Sequence, residues 1–121
     1  MVAKELIANS RRNMLDTLRY LSCFDSQRAY QEEVPYVFVP NELVCQWAQH
    51  SSLLHEQNWF RDSLTPDELE AVQGFETMFN AFCDLFGRDL PAFDVLWSDR
   101  RWAEIGFAAT ATLKSFGRNS A

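Results

Sequence analysis

Apolar residues recur along this chain with the 3.6-residue period of a helix, and almost nowhere with the two-residue alternation of a strand. From Ala3 to Phe24, Ile7, Met14, Leu18 and Leu21 fall on one stripe, which Leu15 and Phe24 widen. Asp25 or Ser26 is placed to cap a short second helix that runs to Glu33. Val34-Pro35 ends it, because a residue before proline is pushed out of the α region. Pro35 to Pro40 reads as a short extended connector of buried coil, since Val37-Phe38-Val39 has no partner strand anywhere in the chain. A third helix is expected from about Asn41, with Leu43, Val44 and Trp47 inward, ending near His50-Ser51-Ser52. A short helix from Glu56 to Ser63 would then bury Trp59 and Phe60.

The clearest local signature follows. Thr65-Pro66-Asp67-Glu68 has the form of a capping box with proline at the first helical position. The threonine hydroxyl can accept from the Glu68 amide while the Glu68 carboxylate reaches back to the Thr65 amide. The helix it starts is expected to run to Phe86, with Gly87 past its end. Val72, Phe75, Phe79, Phe82 and Phe86 line its core face, and Glu70, Gln73, Thr77, Asn80 and Asp84 the opposite one. Leu90 to Trp97 reads as a turn and a short helix started by Pro91. Ser98 or Asp99 caps the last helix, whose inner face is Trp102, Ile105, Gly106, Ala109, Leu113 and Phe116. Gly106, Ala108, Ala109 and Ala111 are small enough to let a neighbouring helix approach closely, and Arg118 to Ala121 are expected to fray. These elements predict an all-α fold: an irregular bundle of five or six helices, one domain over residues 1–121. Unequal helix lengths argue against a regular up-down bundle.

Charge changes the picture more than composition does. The chain carries a net charge of −6, yet residues 56 to 99 hold ten acids and two bases, so the stretch alone sums to −8. A surface of one sign steers and selects a partner of the other. It also argues against DNA, RNA or an anionic membrane as partner, since those demand clusters of Lys and Arg. No apolar run has the length of a membrane span. The first residues show no apolar stretch typical of a secretory signal, so a cytoplasmic location is expected.

Catalytic chemistry finds little footing. Cys23, Cys45 and Cys83 form no close pair, which points to free thiols in a reducing compartment. Cys45, His50 and His55 are spaced C-x4-H-x4-H, which fits no common zinc pattern, and the histidines read as exposed loop residues. Cys45 falls in the register of a buried or half-buried helix, with no nearby Lys or Arg to lower its pKa. Neither histidine follows a glutamate by three residues, as a di-metal carboxylate bundle would have it, and the four glycines form no phosphate loop. No enzyme activity, metal or cofactor is expected. Trp47 and Trp102 sit on apolar stripes and belong to the core; Trp59 and Trp97 sit in short helices near acids and are better placed for contact.

The run Val34-Pro35-Tyr36-Val37-Phe38-Val39-Pro40-Asn41-Glu42-Leu43-Val44-Cys45-Gln46-Trp47 is followed by Phe60, then Leu64-Thr65-Pro66-Asp67-Glu68-Leu69, Phe75 and Trp102. Over residues 30 to 116 this pattern resembles small all-helical immunity proteins of bacterial contact-dependent growth inhibition, which are encoded beside polymorphic toxins. The resemblance implies a protein that neutralises a cognate toxin by direct binding. Many such toxins are nucleases with basic clefts, which an acidic partner can cover. On that expectation Asp62, Asp67, Glu70, Asp84, Asp89 and Asp94 supply the field, and Trp59 and Trp97 the anchoring area. Glu68 is left out, because its capping role already accounts for it. The alternative is a homodimeric helical adaptor without a toxin partner; a homo-oligomer is open but not favoured.

Overall fold

The computed structural model describes residues 3–86 and 90–117, the side chains of Phe93 and Asp94 excepted. Among these residues every regular element is a helix: α1 (Lys4–Leu21), α2 (Phe24–Glu33), α3 (Val39–Glu56), α4 (Asn58–Asp62), α5 (Pro66–Phe86), α6 (Phe93–Trp97) and α7 (Arg100–Gly117). The fold is all-α, with seven helices where five or six were expected. The two short helices expected at Glu56–Ser63 and within Leu90–Trp97 are present as α4 and α6, five residues each, and serve as corners between long helices. The expected helix stop at Gly87 and the fraying expected of Arg118 to Ala121 lie outside the described residues.

Four long helices surround the core. α5 packs on α7, α7 on α1, and α1 on α3. Trp47 of α3 closes the ring by meeting Phe75 of α5 edge-on, with ring centroids 4.8 Å apart. Phe82 of α5 lies 5.5 Å from Trp102 near the start of α7, while Asp67 at the start of α5 shares a groove with Ser115 near the end of α7. The two helices therefore run antiparallel. Met14, Leu18 and Leu21 on α1 are fully buried, each contributing about 1.5–3 kcal/mol by area removed from water. Gly106 of α7 makes the α1–α7 crossing tight: a Cβ there would stand 3.3 Å from the Leu21 carbonyl oxygen.

The capping box is formed as the sequence predicts. The Glu68 amide donates to Thr65 Oγ1 at 3.1 Å and the Thr65 amide to Glu68 Oε1 at 2.9 Å. Glu68 has a second task that its local context does not announce. Its carboxylate is 2% exposed and is paired with Arg11 of α1, whose two terminal nitrogens reach it at 3.3 and 3.2 Å. Arg11 also donates to the Ser63 carbonyl at 2.7 Å, tying α1 to the turn before α5.

Three local expectations are corrected. α2 begins at Phe24, so Asp25 and Ser26 lie inside its first turn rather than capping it. The Val34 to Phe38 connector is a compact turn, not an extended segment, with Tyr36 82% exposed. Gln31 makes it so: its amide donates to the carbonyls of Val37 (2.5 Å) and Val34 (3.2 Å), and its Oε1 accepts the Val39 amide at 3.0 Å. With that amide satisfied, α3 starts at Val39, and Pro40 occupies its first turn, where a missing N–H costs nothing. α3 then continues through His50-Ser51-Ser52 to Glu56. Burial of Leu54 against the core outweighs the weak helix preference of the two serines.

The histidines are accordingly helical, and one of them is inside. His50 is half-buried and its Nε2 lies 2.8 Å from the hydroxyl of Thr17, itself buried on α1. Burial holds the His50 imidazole below its ordinary pKa. A base whose folded pKa is depressed contributes full stability above its unfolded pKa and loses it as pH falls through the folded pKa. The thermal midpoint of the wild type is therefore expected to fall from pH 7.5 to pH 5.0 by more than that of His50→Gln. Equal slopes in a calorimetric pH series would show that His50 carries none of the dependence.

Candidate functional site

The acids of α4 and α5 divide by partner. Glu68 is spent on Arg11. Glu76 accepts from Ser51 Oγ at 2.6 Å and meets His55 Nε2 at 2.8 Å, which holds α3 against α5. Asp99 holds Arg101 at 2.7 Å and also accepts the Arg101 amide at 2.8 Å, so it caps α7 as expected; that hydrogen-bonded pairing keeps its carboxyl below the usual range. Asp62, Asp67, Glu70 and Asp84 are exposed, and none makes an ion pair within 4.0 Å among the described residues. Among the described residues these four expected contact acids are thus uncompensated. Asp89 and the side chain of Asp94 lie outside the described residues.

Their placement follows from helix geometry. Glu70, Thr77 and Asp84 are spaced seven apart and keep to one line along the outer side of α5. Asp67 and Glu70 sit one turn apart at the helix start, where a negative charge meets the positive end of the dipole. Both line a groove of about 510 Å³ between α5 and α7, whose remaining walls are Ala71, Gly74, Phe75, Ala108, Ala111, Thr112 and Ser115. No cation lines it.

The tryptophans are less available than the acids. Trp59 is half-buried in α4, with its ring 6.0 Å from Phe60 and its indole N–H donating to Gln57 Oε1 at 3.1 Å. Trp97 is also half-buried, at the α2–α6 corner. Its indole N–H reaches Gln27 Oε1 at 3.5 Å and the Arg28 guanidinium stands 4.5 Å from its ring. A cation already covers that ring, which is an unfavourable setting for a basic partner.

The α7 side of the groove escaped the sequence reading. Of the four small residues expected to admit a neighbouring helix, Gly106 and Ala109 do so and are buried. Ala108 is half-buried and Ala111 exposed, and both line the groove instead. Phe107, 74% exposed, stands one turn before Ala111. The signal was its absence from the inner-face spacing of 102, 105, 106, 109 and 116. Leu85, 63% exposed, borders a second, smaller hollow further along the same two helices, with Met78, Ala81 and Ile105.

Gly74 is unlike Gly106. A Cβ at Gly74 would meet nothing within 4 Å, so the fold itself has no use for its smallness. Glycine in an exposed helix interior costs about 0.5–1 kcal/mol relative to alanine. Gly74→Ala is expected to raise the stability of the isolated chain by that amount, read from urea denaturation. A loss would mean that a contact at this position has been overlooked.

Among the described residues no group of three His, Cys, Asp or Glu side chains converges to hold a metal ion. Cys45 is exposed rather than buried, His50 turns to Thr17 and His55 to Glu76. In the Ser51–Glu76–His55 cluster the carboxylate sits between the other two, so His55 has no contact with the hydroxyl it would need to activate. Burial, with Asp84 adding to it, pushes the Cys83 thiol up and away from reactive thiolate. No helix of the described residues is long and apolar enough to cross a membrane.

Comparison with protein families, with curated proteins and with solved structures returns no match to this chain.

Proposed function

We propose that this chain is an immunity-type inhibitor: a cytoplasmic binding protein that neutralises a basic protein toxin, with a nuclease domain the best fit to its charge. One observation carries the reading. Asp62, Asp67, Glu70 and Asp84 stand exposed and unpaired among the described residues, while neighbouring Glu68, Glu76 and Asp99 are consumed internally. An acidic helix face with its field uncancelled attracts a surface built to hold phosphates, and needs no chemistry of its own to block it. The test is co-expression with the product of the gene immediately upstream, in cells that this product alone kills. Rescue, with a one-to-one complex recovered by gel filtration, supports the proposal. Killing that proceeds unchanged, with no complex, overturns it.

Phe107 and Leu85 favour a second reading, a homodimer that covers them. Sedimentation equilibrium over a hundredfold range of concentration separates the two: a monomer throughout speaks against the dimer.

A further inference from the structure

We propose that the α5–α7 groove is the seat for a basic amphipathic helix of the partner protein. This deepens the reading above and rests on it. Three features meet at the groove. Among the described residues its walls are uncharged apart from Asp67 and Glu70, so the sign they present is negative. Gly74 leaves its α5 wall bare of side chain where the fold has no need of the space. Phe107 does not line the groove but stands one turn before its wall residue Ala111, and offers exposed aromatic area there.

Charge complementarity selects the occupant. A Lys or Arg reaching between Asp67 and Glu70 would neutralise two carboxylates that have no ion pair among the described residues. A second copy of this chain carries the same net charge of −6 and so offers no complementary sign overall. Shape selects the conformation. Ala71 and Gly74 on α5, and Ala108 and Ala111 on α7, are small residues one turn apart on both walls. Such pairs let a third helix approach the backbone closely, with its ridge between the two. An extended segment would instead seek a sheet edge, and the described residues contain no strand. The seated helix places a small residue over Gly74, a cation at Asp67 and Glu70, and an apolar side chain against Phe107.

The probe is an 18-residue alanine-rich helical peptide with Lys at i and i+4 and one Leu at i+8, set against the same peptide with Glu for Lys. Amide shifts of the labelled protein are followed at low salt. The Lys peptide is expected to shift residues 67–75 and 107–115 and to bind at least tenfold more tightly than the Glu peptide. Gly74→Leu, which fills the groove from within, is expected to weaken it at least tenfold with unchanged far-ultraviolet dichroism. Ala111→Leu serves the same purpose should Gly74→Leu not fold. Shifts centred elsewhere, no binding, wild-type affinity in the filled variants, or a dimer that occludes the face would each overturn the proposal. The two readings fail separately. A toxin neutralised equally by wild type and by the filled variants removes the groove alone. A Lys peptide seated in the groove of a protein that neutralises no toxin removes the toxin alone.

Discussion

Gln27→Leu is expected to lower the stability of this protein by about 3 kcal/mol, although leucine matches the glutamine closely in size and the site is fully buried. Four hydrogen bonds explain the cost. The Gln27 amide donates to the Tyr20 carbonyl at 2.8 Å and the Leu21 carbonyl at 3.4 Å, at the end of α1. Its Oε1 accepts the indole N–H of Trp102 at 3.1 Å and that of Trp97 at 3.5 Å. Leucine removes all four at once and leaves the Trp102 donor buried without its acceptor. An unpaired buried donor costs about 1–3 kcal/mol, and the lost bonds to the carbonyls add to it. For a chain of this length the thermal midpoint should drop by about 10–15 °C. Gln27→Glu sharpens the test, because it keeps the acceptor for the indoles and removes the amide that binds α1. A midpoint for Gln27→Leu within 3 °C of wild type would show that the network is replaceable by apolar packing.

Gln27 also shows where sequence reading stops. Its partners Trp97 and Trp102 lie 70 and 75 residues away, so no local pattern marks it. Polar residues on a mostly polar helix look solvated until the fold brings a donor to them. His50 escaped for the same reason, its partner Thr17 lying on another helix, while Gln31 escaped although its partners are near in sequence, because only the folded turn shows that it clamps the connector. α5 was legible because its determinants are local. The capping box, the proline at its first position and a stripe of phenylalanines all act within the helix, which begins at Pro66 as expected. The core tryptophans were legible too, since Trp47 and Trp102 follow the apolar period and are buried at 1% and 0%.

The acids were legible as a cluster but not as a site. Composition counts Glu68, Glu76 and Asp99 with the rest. Only the fold reveals that Arg11, His55 and Arg101 have claimed them. Likewise the small residues of α7 were visible, while the division between those that pack on α1 and those that face the groove depends on the position of α5. Internal pairing thus leaves a narrower surface than the sequence offered, and one with a direction: a line of carboxylates along α5 beginning at the groove.

Reversing Asp67, Glu70 and Asp84 to lysine is expected to weaken binding to a basic toxin by about 100-fold, or about 2.7 kcal/mol, with most of the loss in association rate at low salt. The substitution turns the line on α5 from negative to positive and brings the net charge of the chain from −6 to zero. Two effects must be kept apart from it. Lysine at Asp67 sits at the positive end of the α5 dipole, so a stability loss of about 0.5–1 kcal/mol is expected with the helix content retained. Change of net charge alone is controlled by Glu5, Glu33 and Glu42 reversed to lysine, which are exposed on α1, α2 and α3 and give the same total. At physiological salt the control should bind within about fivefold of wild type, because exposed charges beyond a Debye length, about 8 Å there, are largely screened. A local effect of α5 also predicts that the salt dependence of association flattens in the first variant and persists in the second. Equal losses in the two would reduce the acidic stretch to a bulk property of the chain. An unchanged affinity in the α5 variant would remove this face from the interface.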